Sequence, residues 1–280
     1  MPRACIAAAL ALTLVACAAP ARCPVAAPLP PEAPFLWRVS RGDGPPVWLY
    51  GTIHNAGAAD VPAAAWDALA RAPRYASELG DVAPDPEELG ALARLPRGKG
   101  LDALLPADDW WELEGELRGR IKPDDLRRAR PWYAMSLITA KRAPGPSPTM
   151  DEALTRRARA LHHPISALET WRAQLTVVAD AVTIADLQDA LRARATMRCD
   201  LDAMKRSYVA GSADRMARHL NVAGASQLVG DRNAAWLPTL EGYLATDGAF
   251  VAVGLGHLLG DAGLPALLAA RGYTVARQPW

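Results

Sequence analysis

The sequence predicts an α/β fold: a mixed central β-sheet flanked by helices, with a large helical insertion. Three observations predict it. Two apolar runs that end in glycine, Val47-Trp48-Leu49-Tyr50-Gly51 and Phe250-Val251-Ala252-Val253-Gly254, read as buried strands leaving a sheet. Strand-and-helix patterns occur at both ends of the chain. Between them lies a long, mostly helical stretch without an internal repeat.

The first residues are read as targeting rather than fold. Met1-Pro2-Arg3 is a short positive region, and Ile6 to Ala16 is apolar but, at roughly eleven residues, too short to span a bilayer. The run closes on Leu14-Val15-Ala16-Cys17, small residues before a cysteine as in the bacterial lipobox. Residues 1–17 are therefore expected to be a lipoprotein signal peptide, with Cys17 the lipidation site and a membrane the partner it implies. The rival reading is cleavage near Ala16-Cys17-Ala18 that releases a soluble protein. Ala18 carries no inner-membrane retention signal, so in a didermic cell the expected destination is the outer membrane. Residues 18–34 are rich in alanine and proline and read as an extended tether. Beyond Cys5 and Cys17, two cysteines remain, Cys23 and Cys199. In an exported protein they either pair or stay as free thiols.

The folded domain is expected over residues 35–280. Phe35 to Ser40 and Val47 to Gly51 flank the turn sequence Gly42-Asp43-Gly44-Pro45-Pro46 and predict a hairpin. Pro62 to Ala72 has helical spacing with proline in the first turn. Arg74 to Leu79 reads as a short strand ending Ser77-Glu78-Leu79. Residues 84–144 read as helical, broken at Pro96-Arg97-Gly98 and Pro106, with Trp110, Trp111, Leu113 and Leu117 as packing residues. After the linker Pro144-Gly145-Pro146-Ser147-Pro148, the capping box Thr149-Met150-Asp151-Glu152 opens a helix that ends near His162-His163. Pro164 to Leu168 is a strand running into Glu169-Thr170. Residues 171–245 read as helical, with Arg232-Asn233 opening the last helix and Asp231 capping it. Phe250 to Gly254, a helix over Gly260 to Ala270 capped by Gly272, and a strand over Tyr273 to Arg277 close the chain.

Composition excludes several functions. The net charge is +1 and the basic pairs sit among acids on predicted helices, so no nucleic-acid partner is expected. Hydrophobic residues make up 51% of the chain, enough for a soluble core. No Gly-x-Ser-x-Gly, His-Glu-x-x-His or phosphate-binding glycine loop is present. His162, His163 and His219 lack ligand spacing and read as structural.

The functional signal is a matched pair, Gly51-Thr52-Ile53-His54 and Gly254-Leu255-Gly256-His257. Each follows an apolar strand and brings an imidazole to a strand's carboxyl end, where α/β folds place ligands. The glycines are expected to permit a tight turn. Glu78 and Glu169 also end predicted strands and point to the same edge. Two His and two Glu suit a divalent ion such as Zn, Mn or Co, or a metal-free acid–base group. Arg232 is a candidate for binding a substrate carboxylate or stabilising an oxyanion, with Asn233 beside it.

At these residues the chain resembles the TraB/GumN family. The resemblance runs in order through Phe35-Leu36-Trp37-Arg38-Val39, Leu49 to His54, Ser77-Glu78-Leu79, Met150-Asp151, Leu168-Glu169-Thr170 with Gln174, Arg232-Asn233 with Trp236-Leu237-Pro238, Val251 to Leu258, and Gly272-Tyr273-Thr274-Val275. That family is similar to the Tiki ectodomains, described as metal-dependent peptidases with two Gly-x-x-His motifs and a Glu. It is also similar to erythromycin-esterase-like and ChaN-like proteins. The resemblance implies a site of His54, Glu78 and His257, joined by Glu169 and Arg232. The leading expectation is a cell-envelope lipoprotein with metal-dependent hydrolase chemistry on a peptide or small molecule, the metal held by His54, Glu78 and His257, with Glu169 acting as the base. The alternatives are a metal-free esterase-like hydrolase and a non-catalytic protein that binds a peptide or glycan in the same cleft.

Overall fold

The computed structural model describes residues 23–221 and 226–280. The signal peptide and Cys17 lie outside these residues. Among the described residues, no helix is long and apolar enough to cross a membrane.

Six strands form one mixed sheet: β1 (Leu36–Ser40), β2 (Val47–Thr52), β3 (Tyr75–Ser77), β4 (Ile165–Ala167), β5 (Ala249–Gly254) and β6 (Thr274–Arg277). Their order across the sheet is β4-β3-β5-β2-β1-β6. The predicted hairpin forms, with Trp37 opposite Leu49, and β6 closes the edge antiparallel to β1. β2, β5, β3 and β4 run parallel, with Val47 beside Ala249, Tyr75 beside Phe250 and Tyr75 beside Ile165. The sequence explains this division. Ala249 to Val253 is buried without interruption, as a parallel strand covered on both faces must be. At the edge, β6 alternates exposed and half-buried residues.

The main core joins this sheet to Ala65, Ala68 and Leu69 of the helix Ala63–Arg71, Met150 and Leu154 of Met150–Ala160, Trp236 and Leu240 of Ser226–Ala245, and Leu264 and Leu268 of Leu264–Ala270. The capping box forms as expected: Thr149 Oγ1 accepts from Glu152 N–H (3.2 Å) and Glu152 Oε2 from Thr149 N–H (2.8 Å). The helical insertion has its own core, in which Leu101, Leu113, Leu117 and Ile138 pack with Leu187 and Leu191. Trp110 is buried in it, but Trp111, also expected to pack, is 66% exposed. Adjacent helical positions lie about 100° apart, and here the turn that buries Trp110 carries Trp111 out to solvent.

Two further expectations need revision. Arg232 and Asn233 lie inside the helix Ser226–Ala245 rather than at its start, so Asp231 is not a cap. The helix continues upstream through Gly230, which a helix tolerates at about 1 kcal/mol. Of the two readings for the cysteines, the paired one is formed: Cys23 and Cys199 are joined, with Cα atoms 5.1 Å apart. The segment after Cys23 is also tied down before the first strand. Glu32 N–H donates to Ala210 O (2.8 Å), and the Arg277 guanidinium donates to the carbonyls of Ala33 and Pro34.

Candidate active site

Parallel strands share a carboxyl edge, and here four neighbouring strands each end on one expected residue. Across the sheet, β4 leads to Glu169, β3 to Glu78, β5 to His257 and β2 to His54. Residues far apart in sequence therefore meet along one rim.

The paired glycines work differently from the turn expected of them. Neither Gly51 nor Gly254 has a positive φ. A Cβ on Gly51 would lie 2.6 Å from Leu255 Cδ1, inside the second motif, and one on Gly254 would lie 3.2 Å from Glu78 Oε1. Each glycine removes bulk so that the other motif, or the carboxylate, can close in.

His257 is buried. Its Nδ1 lies 2.6 Å from Asn233 Oδ1, which, as the acceptor of a hydrogen bond, puts the proton on Nδ1 and leaves a lone pair on Nε2. Nε2 lies 3.8 Å from Glu78 Oε1. Trp236 packs against the ring, with centroids 4.4 Å apart. Burial lowers the ring's pKa to about 4; the nearby Glu78 raises it and Arg232 lowers it further. The imidazole is thus neutral through the neutral range.

Asn233, expected against substrate, is fully buried and spent on positioning. Its Nδ2 donates to His257 O (3.1 Å) and Ala262 O (2.7 Å), so it fixes both the ring and the loop that carries it.

Glu78 is held by several donors. Oε1 accepts from Gly254 N–H (2.8 Å), and Oε2 from Arg232 Nη2 (2.6 Å) and Gln174 Nε2 (2.6 Å). Burial alone would raise its pKa; the His257 ring, the Arg232 guanidinium and the Gly254 N–H outweigh it and hold the carboxyl below the usual range. Glu169 takes the same guanidinium in a two-point pair, through Nε (3.1 Å) and Nη2. Arg232 also stacks over Trp236 at 5.0 Å. Burial acts to lower its pKa, but its bonds to Glu169 and the charge of Glu78 raise it, so the cation is permanent. Its Nη1 makes no hydrogen bond to any described residue.

His54 is solvent-exposed. Beside it stands Asp151, a group absent from the expected site. Thr52 Oγ1 donates to Asp151 Oδ1 (2.8 Å). Desolvation raises the Asp151 pKa; the Thr52 bond and His54 lower it, and Glu78 raises it. Its carboxyl therefore lies within electrostatic reach of both His54 and Glu78. In the sequence, the capping box around it accounted for this residue. Gln174 was visible only as one residue of the family pattern.

Three of the expected residues, Glu78, Glu169 and His257, thus meet around Arg232, and His54 lies within electrostatic reach of Asp151. Two of the three expected metal ligands, His257 and Glu78, face one another. Among the described residues, however, no three His, Cys, Asp or Glu side chains are grouped to hold one ion. A fixed guanidinium also sits 2.6 Å from the Glu78 carboxylate. As arranged, these residues do not fit a three-ligand metal centre, and no step is derived through one.

Of the remaining histidines, His163 and His219 are structural in place, and His162 is exposed. His163 Nε2 meets Leu69 O at 3.0 Å, and His219 Nε2 meets the buried Ser207 hydroxyl at 3.2 Å.

Together these features define an α/β protein with a histidine–carboxylate–arginine cluster on the carboxyl rim of its parallel strands. A sequence profile of the TraB/PrgY/gumN family matches residues 35–277, and the chain belongs to that family. No curated protein and no solved structure matches it.

Proposed function

We propose that this chain is an exported, Cys17-anchored envelope hydrolase that cleaves an ester or peptide bond with His257 as general base. The observation that carries the reading is His257 itself: neutral, held in one tautomer by Asn233, its Nε2 lone pair free and 3.8 Å from the Glu78 carboxylate. In the proposed reaction a water donates a proton to Nε2 as its oxygen attacks the carbonyl carbon. The negative charge that develops on the carbonyl oxygen is met by Nη1 of Arg232, which no described residue bonds and whose sister nitrogens Glu78 and Glu169 hold in place. The imidazolium formed next to Glu78 then returns its proton to the leaving alkoxide or amine as the bond to carbon breaks.

The test is a panel of p-nitrophenyl esters and fluorogenic peptides, run after dialysis against EDTA and again with Mn²⁺, Co²⁺ or Zn²⁺ added. Turnover that survives EDTA and falls roughly 10²–10⁴-fold in His257→Ala supports the reading. A strict requirement for an added ion would overturn it in favour of a metallohydrolase. Turnover unchanged in His257→Ala would remove His257 from the chemistry. For the anchor, Cys17→Ser is expected to move the protein from membrane to soluble fractions; unchanged fractionation overturns lipidation.

A further inference from the structure

A cavity of about 390 Å³ lies in a part of the fold that none of the rim residues lines. Its size falls within the range of small-ligand sites, roughly 300–1,000 Å³. Phe35, Tyr50, Val61, Tyr208, Val209 and Trp280 form much of its wall. The Asp60 carboxylate and the two tyrosine hydroxyls in that wall already have partners. The Asp60 carboxylate accepts from Gly57 N–H (2.9 Å) and pairs with Lys205 Nζ (2.8 Å). The Tyr208 hydroxyl donates to Gly51 O (2.6 Å) and lies 2.9 Å from the Tyr50 hydroxyl. Burial also raises the pKa of both phenols, which stay neutral. The rest of the wall is mainly apolar, with the Trp280 indole at its exposed rim, so the part that enters deeply is apolar.

Two large hydrophobic side chains of the wall reach water: Val209 is 47% exposed and Trp280 55%. The chain's approach to its N-terminus begins here. Pro34 is part of the wall, Glu32 is bonded to Ala210 next to Val209, and the segment ends at Cys23, clamped to Cys199. Cys199 and Val209 lie on one helix, Met197–Val209, whose 13 residues span about 20 Å. Cys17 lies six positions before Cys23, a span of at most about 20 Å of chain. The open rim of an apolar cavity thus lies within reach of the place where a lipid is expected.

We infer that this cavity is a binding site for a fatty acyl chain. It rests on the Cys17 anchor of the proposed function and not on the hydrolase chemistry. The acyl chain belongs either to the lipid on Cys17 or to a separate membrane lipid. The experiment is titration of the Cys17→Ser protein with cis-parinaric acid, a fluorescent fatty acid. Saturable binding of one molecule per chain is expected. It should weaken at least tenfold in Ala64→Trp, which places an indole in the cavity from another wall residue, and in Val209→Asp, which charges its exposed rim, and stay unchanged in Trp111→Ala. Because Val209 is already half exposed, Val209→Asp remains informative if Ala64→Trp fails to fold. The lipidated protein separates the two sources: exclusion of the probe there identifies the molecule's own lipid, and equal binding identifies an external one. No saturable binding, or equal binding by both cavity variants, overturns the inference.

Discussion

His257 owes its state to its neighbours, and its titration is open to measurement. The unfolded ring takes up a proton near 6.5, whereas the folded one waits until about 4. Between those values the unfolded chain binds more protons, so acid favours unfolding. Stability is expected to fall as pH drops from 6.5 towards 4, by on the order of 3 kcal/mol from this group. Glu78, whose folded pKa is lowered from 4.5, adds a further loss only below that value. Urea unfolding at pH 7 and pH 5 checks this; an equal pH response in His257→Gln would rule it out. Asn233 gives a second test. Asn233→Ala should cost about 1–3 kcal/mol, because buried groups of the His257 loop lose their partners. Asn233→Asp keeps an acceptor for Nδ1 but sets a negative charge against the ring. It should raise the ring's pKa and move the acid limb of any pH–rate profile upward. An unmoved limb would mean that Asn233 only supports the loop.

Among the elements, the two glycine motifs meet where β2 passes the turn after β5. Gly51→Ala forces a methyl group onto Leu255 and should cost about 1–3 kcal/mol. Adding Leu255→Ala should recover part of that loss, and thermal melts of the two single variants and the double variant read the coupling. A strictly additive cycle would mean that the contact is not the reason for the glycine. These strands were legible in sequence because they are short, apolar and closed by glycine or a polar residue. For the same reason four rim residues could be named in advance. What was not legible depends on contacts between distant segments. Nothing local to Asp151 tells that Thr52, on another element, will bond it. Nothing in Arg232-Asn233 tells that one will be trapped between two carboxylates and the other turned inward to a histidine. The start of their helix was misplaced because Gly230 and Asp231 look like a boundary, although the helix runs through them.

At the scale of the whole molecule, the Cys23–Cys199 link closes a loop with a sequence separation of 176 residues. Its removal in Cys23→Ser should lower stability by about 2–4 kcal/mol. Reductant should lower the melting temperature of the parent to that of the variant and leave the variant unchanged; an unaffected parent would refute this contribution. The order of strands across the sheet carries one more consequence. β2 and β5 are immediate neighbours, yet roughly two hundred residues separate them, a distant pairing of the kind that slows folding. β3 takes its place in the sheet between β4 and β5. A ribosome that has passed Glu169 but not reached Ala249 has therefore supplied His54, Glu78 and Glu169 but neither the strand that brings them into line nor His257. Such a chain is expected to be inert however long it waits. The proposed hydrolysis is expected to need β5 in place, and a chain cut before Ala249 is expected to show none.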